Sequence, residues 1–91
     1  MIALFDARRD LVFITADLGY MAFEKLAAVY GERFVNVGIA EQNAVSLAAG
    51  LAREGHLPWV YSTAAFTVLR PYEQIRTNVC LHRLPVKLVG N

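Results

Sequence analysis

A single cysteine in 91 residues leaves Cys80 without an internal disulfide partner. The two histidines, His56 and His82, stand at no metal-ligand spacing, so the chain carries no zinc pattern and both read as surface or loop residues. Charge of one sign is also scarce. Nine Lys and Arg face eight Asp and Glu, and the arginines are spread along the chain, which gives nucleic acid no basic field to bind. The six glycines form neither a GxGxxG nor a P-loop, so the phosphate cradle of a nucleotide site is missing. No apolar run approaches the ~20 residues of a membrane span, because Asp10, Asp17, Glu24, Arg33, Glu41, Arg53, Arg70 and Lys87 interrupt the sequence. The N-terminus shows no charged-then-apolar leader with a small-residue cleavage site, and the default expectation is a soluble, cytoplasmic protein. There is no internal repeat, linker or low-complexity segment.

What the chain does have is hydrophobicity, at 56% of residues with a mean hydropathy of +0.36. One small domain of this length buries only about two-thirds of its unfolded surface. The excess suggests a piece of something larger or an oligomer.

The stretch Asn36-Val37-Gly38-Ile39-Ala40-Glu41-Gln42-Asn43-Ala44 places one carboxylate where an apolar strand hands over to an almost wholly apolar helix. Behind it Val45, Leu47, Ala48, Leu51 and Ala52 cover more than one helical face, which predicts a buried helix whose first turn lies inside the protein. A helix N-terminus favours an anion, whereas apolar walls favour the neutral acid. A carboxyl between those influences suits sharing a proton with a ligand; it also suits a simple helix cap.

Four β-type runs recur: Leu11-Val12-Phe13-Ile14-Thr15, Phe34-Val35-Asn36-Val37, Pro58-Trp59-Val60-Tyr61 and Val86-Lys87-Leu88-Val89. Helical patterns separate them. Phe23, Leu26, Ala27 and Tyr30 form one stripe, with Gly31 as its C-terminal cap. Val68, Tyr72, Ile75 and Val79 form another, with Pro71 tolerable only in a first turn. Gly50, inside the helix behind Glu41, costs about 1 kcal/mol relative to alanine unless close packing needs the missing side chain. The alternation predicts an α/β fold, a parallel sheet with right-handed crossovers and helices over its faces, whose strand ends share one ligand-binding rim. Three segments leave those ends: Ala16-Asp17-Leu18-Gly19-Tyr20, the turn into Glu41, and Ser62-Thr63-Ala64-Ala65-Phe66.

Gly38-Ile39-Ala40-Glu41-Gln42-Asn43, Ala49-Gly50-Leu51-Ala52, Phe66 and Arg70-Pro71-Tyr72-Glu73-Gln74-Ile75-Arg76, in that order and spacing, resemble the pyrimidine-binding domain of transketolase-like enzymes. The resemblance runs from about Leu11 to Val89. It implies a three-layer thiamine-diphosphate-binding fold, with residues 1–91 as a partial domain truncated after its fourth strand. It also implies thiamine diphosphate as cofactor, whose chemistry belongs to the cofactor while the protein supplies orientation and proton control.

On that resemblance Glu41 matches the catalytic carboxyl that hydrogen-bonds the pyrimidine ring, and Phe66 matches the aromatic that stacks on it. Thr63 stands where many relatives carry a second phenylalanine. Arg70 matches an arginine that grips substrate phosphate, for which a guanidinium fork is suited; a surface ion pair with Glu73 is the alternative. Asp17 and Leu18 match an Ala-Asp-Leu turn near the cofactor or the dimer partner, though Asp17 can equally cap a helix. Gln42 and Asn43 contact either the partner chain or the helix end.

The superfamily holds the diphosphate and its magnesium with a Gly-Asp-Gly motif on a separate domain, and this sequence has none. The resemblance therefore implies a diphosphate-binding domain or subunit as partner, in a homodimer or heterotetramer, and a chain inactive alone. The implied function is transfer of a two-carbon ketol unit between sugar phosphates. A deoxyxylulose-phosphate synthase, a 2-oxoacid dehydrogenase beta-subunit fragment and a non-catalytic α/β association module are the alternatives.

Overall fold

The computed structural model describes residues 7–16 and 31–90. Strands β1 (Leu11–Thr15), β2 (Phe34–Asn36), β3 (Leu57–Ser62) and β4 (Lys87–Gly90) form one sheet in the order β2-β1-β3-β4. Every neighbouring pair is parallel. All four apolar runs are strands, each within a residue or so of its expected bounds. β2 ends one residue early, but the Val37 N–H still donates to the Thr15 carbonyl at 3.0 Å and holds the chain against β1. The central strand β1 is buried at all five positions. This is why it reads as an unbroken apolar run rather than an alternating one.

Helix α1 (Glu41–Arg53) lies between β2 and β3 in sequence, and their connection crosses over β1. Its buried positions are Glu41, Ala44, Val45, Ala48, Ala49 and Ala52, a single stripe at helical spacing. Ala44 and Ala48 pack on Val12, Ile14 and Val60 of the sheet, where their short side chains let the helix axis approach closely. Val45 and Ala49 pack on Val79. Fully burying an aliphatic residue such as Ile14, Val45 or Val60 contributes about 1.5–3 kcal/mol. Leu47 and Leu51, expected in the buried face, are only half-buried; alanines make the stripe instead.

Gly50 departs further from expectation. It is exposed, and no heavy atom lies within 4 Å of where its Cβ would stand. Close packing among the described residues does not explain it.

After β3 the chain forms a wide, π-type helical segment at Ala65–Leu69, breaks at Pro71, and continues through α2 (Tyr72–Gln74) into a second wide segment, Ile75–Cys80. Pro71 stands immediately before α2, the position where its missing N–H does no harm. The expected stripe of Val68, Tyr72, Ile75 and Val79 is only half realised. Val79 and Ile75 face the core, whereas Val68 and Tyr72 are exposed. The inward line is Thr67, Pro71, the half-buried Ile75 and Val79, one residue in four. Wide turns and the break at Pro71 shift the inward face to residues that an apolar template passes over.

The other sheet face carries Leu11 and Phe13, with Phe34, Trp59 and Tyr61 around them. Phe13 stacks on Phe34 with ring centroids 5.4 Å apart. The helix expected over Phe23 to Tyr30 lies outside the described residues, as do Asp17 and Leu18.

Candidate functional site

Register places the ends of all four strands side by side. Thr15 pairs with Asn36 on one flank and Tyr61 on the other, and Ser62 pairs with Gly90. The chain reversals around β1 put the switch in strand order there, the usual place for a ligand crevice in a parallel sheet.

Glu41 reaches this rim by a short turn from β2. The Asn36 Oδ1 accepts from the Gly38 N–H at 2.8 Å, and the Ala40 N–H donates to the Gly38 carbonyl at 2.8 Å. Gly38 has φ +76°, a left-handed conformation that glycine alone adopts cheaply. α1 then begins at Glu41 without a side-chain cap from Ala40. Glu41 stands at the head of the buried stripe, three and four residues before Ala44 and Val45. That phase turns it inward and leaves it 7% exposed.

The carboxylate meets Arg70, 29 positions later in the chain. The Arg70 Nη1 donates to Glu41 Oε1 at 2.9 Å, with the arginine side chain 55% exposed. The same guanidinium lies over the Phe66 ring, its central carbon 3.7 Å from the centroid, well within cation–π range. The wide turn at Ala65–Leu69 makes this possible. The Arg70 N–H donates to the Ala65 carbonyl five residues back, at 3.1 Å, which widens the turn between Phe66 and Arg70. Gln42 secures the arrangement from α1, its Nε2 donating to the Arg70 carbonyl at 3.1 Å. An open groove of about 480 Å³ is lined by Ile39, Ala40, Glu41, Gln42, Asn43 and Arg70.

The sequence left Arg70 with Glu73 as its possible carboxylate partner. The structure assigns Glu73 to Arg76 instead, through contacts of 2.6 and 3.2 Å. The hydrogen bonds from Arg76 hold the Glu73 carboxyl below its ordinary range, and Glu73 raises the guanidinium in turn. Both groups are exposed, so that pair adds little beyond local helix support.

A buried polar atom at this end went unnoticed in the sequence. The Ser62 Oγ has no hydrogen-bond partner among the described residues. Ser62 follows Pro58 and Val60 on the strand face that packs against α1, a register that could have singled it out. No group of three His, Cys, Asp or Glu that could hold a metal occurs among the described residues, and none of their helices is long and apolar enough to cross a membrane.

The sequence model of the family described as "Transketolase, pyrimidine binding domain" matches residues 1–91. The chain is 44% identical over 90 residues to 1-deoxy-D-xylulose-5-phosphate synthase 2 of Kitasatospora griseola, covering 98% of this chain and 14% of that protein. It is 42% identical over 89 residues to 1-deoxy-D-xylulose-5-phosphate synthase of Methylacidiphilum infernorum, covering 94% and 14%. It thus spans about one-seventh of the length of these relatives. Among solved structures, a chain titled "Split gene transketolase, inactive beta4 tetramer" matches with a TM-score of 0.88 and 36% identity, over 98% of this chain and 30% of that one.

Proposed function

Because this chain belongs to the transketolase pyrimidine-binding domain family, we propose that it supplies the aminopyrimidine half of a thiamine-diphosphate site in a ketol-transferring enzyme. When bound, thiamine diphosphate supplies the carbanion that carries the two-carbon unit. The observation that carries the reading is that a buried carboxylate and an aromatic ring face, 25 residues apart, are brought within the reach of one guanidinium. A flat, N–H-bearing group is held there by a carboxyl at its edge and a ring at its face, the two contacts an aminopyrimidine edge and plane require.

In this reading Glu41 is the catalytic carboxyl. It shares a proton with the pyrimidine ring nitrogen, and its burial limits the water that competes for that bond. Phe66 fixes the plane of the ring. Asp17 and Leu18 approach the cofactor from the first strand end, and Arg70 is the group available to a substrate phosphate at the groove mouth. The diphosphate and magnesium belong to a partner domain or subunit. Apolar surface exposed at Ile39, Leu69 and Tyr72, on either side of Glu41 and Arg70 in the chain, supports a partner surface here. The assembly is a cytoplasmic homodimer or heterotetramer.

The substrate pair is a ketose phosphate donor and an aldose phosphate acceptor. A second reading, a deoxyxylulose-phosphate synthase that first decarboxylates a 2-oxo acid, is favoured by the identity to synthases of that name. Product analysis of the complete enzyme separates them: carbon dioxide release from a 2-oxo acid selects the synthase, and its absence with ketose turnover selects the transketolase. Hydrogen–deuterium exchange at the cofactor's C2 tests the shared core of both readings. Glu41→Gln should suppress it; exchange at the wild-type rate would sink the assignment.

A further inference from the structure

We propose that Arg70 is a built-in stand-in for the aminopyrimidine, a side-chain latch that holds Glu41 and Phe66 until the cofactor displaces it. This rests on the reading of Glu41 and Phe66 as the two halves of a pyrimidine subsite.

The likeness is chemical. A guanidinium is planar and delocalised and presents N–H donors at its edge; an aminopyrimidine is planar and aromatic and presents N–H groups at its edge. Each is satisfied by a π face below and a carboxyl beside it. Arg70 has both partners at once, with Glu41 Oε1 at 2.9 Å and the Phe66 ring centroid at 3.7 Å. The ring face that the guanidinium covers cannot serve a second planar group simultaneously. The cofactor's ring must therefore expel the guanidinium.

Local structure permits that exchange without refolding. The backbone of Arg70 is fixed at both ends, its N–H to Ala65 and its carbonyl to Gln42. Its side chain is more than half exposed and borders the open groove, so rotation about its own bonds carries the charge out. Such rotations are fast, on the scale of ps to ns. The latch consequently acts on affinity rather than as a slow step: the apparent dissociation constant is the intrinsic one divided by the open fraction. It also keeps a buried carboxylate from standing unpaired, a costly state that a bound ligand would otherwise have to relieve.

The test uses the complete enzyme with its diphosphate-binding domain, in the wild-type form and as Arg70→Met and Arg70→Ala. Isothermal titration with thiamine diphosphate and magnesium reads the affinity. Known ranges for a half-exposed cation–π contact and a partly exposed ion pair predict that both variants bind about 3- to 30-fold tighter. Guanidinium chloride at low millimolar concentration should then compete with the cofactor in Arg70→Ala and have no effect on wild type, with potassium chloride at equal ionic strength as control. Unchanged or weaker cofactor binding in both variants overturns the latch, as does the absence of guanidinium competition. Either result leaves the assignment of Glu41 standing if Glu41→Gln still abolishes C2 exchange. If wild type and variants alike bind no cofactor, the assignment and the latch fall together.

Discussion

Replacing Glu41 by glutamine separates a catalytic carboxyl from a structural one, because the two roles predict losses of different size in different assays. Glutamine keeps the shape and a carbonyl oxygen that can still accept from the Arg70 Nη1, now without charge assistance. The arginine is more than half exposed, and screening holds the cost of discharging such a pair to about 0.2–1 kcal/mol. Loss of an anion from the first turn of α1 adds about 0.3–1 kcal/mol. Stability should thus fall by no more than about 2 kcal/mol, a shift of a few degrees in Tm for a large enzyme. A lost proton-transfer group, by contrast, removes about two to four orders of magnitude in rate. Cofactor affinity should change little, since the weakened contact to the pyrimidine is offset by a weakened hold of Arg70. The measurements are thermal unfolding, cofactor titration and pre-steady-state deuterium exchange at C2, all on the complete enzyme. An exchange rate within a few-fold of wild type, accompanied by the full stability loss, would refute the catalytic role and leave Glu41 as a helix-terminal anion.

Phe66→Ala should weaken cofactor binding by about 1–3 kcal/mol, the usual cost of losing a buried aromatic contact; titration with the cofactor checks it, and unchanged affinity would remove Phe66 from the site. Gly90→Ala places a Cβ 2.8 Å from the Cα and Cβ of Ala64, and the backbone must shift to relieve it. The helical segment bearing Phe66 follows directly, so this variant should lose about 1–3 kcal/mol of stability as an overpacked site and bind cofactor more weakly, which unfolding and titration measure. The Glu73–Arg76 pair should matter only above acid pH. Arg76 lowers the Glu73 carboxyl from its ordinary value of 4.5, so its stabilisation is full above that value and is lost as pH falls through the lower folded-state value. The Tm difference between wild type and Glu73→Gln should accordingly be small at neutral pH and vanish on acidification; a difference that grows toward low pH would contradict the sign.

The sheet was legible because its strands are parallel and buried. β1 reads as a continuous apolar run, and parallel neighbours require crossovers long enough to leave a helical pattern between runs. The C-terminal helix was less legible for an equally physical reason. Apolar templates assume 3.6 residues per turn, whereas the turns around Thr67, Pro71, Ile75 and Val79 are wider and broken by proline. A threonine and a proline therefore hold core positions. The exposure of Gly50 shows a related limit: a sequence marks the residue as costly in a helix, but only the surroundings say whether packing explains it.

The candidate site divides along the same line. Glu41 could be found locally, since its distance from Ala44, Val45 and Ala48 fixes its inward phase once α1 is recognised. The pairing of Arg70 with Glu41 depends on the crossover of α1 over β1, on the wide turn at Ala65–Leu69, and on the side-chain tie from Gln42. No spacing within the Arg70 segment carries that information; its sequence neighbours point to Glu73, three residues on, which is already taken by Arg76. The residue with the clearest local signal is thus Glu41, the carboxyl proposed to share a proton, while Arg70, the proposed latch, is placed by long-range geometry. Substitutions in the wide turn should consequently alter cofactor access while leaving the inward phase of Glu41 intact, because the first depends on the 65–70 segment and the second on α1 alone.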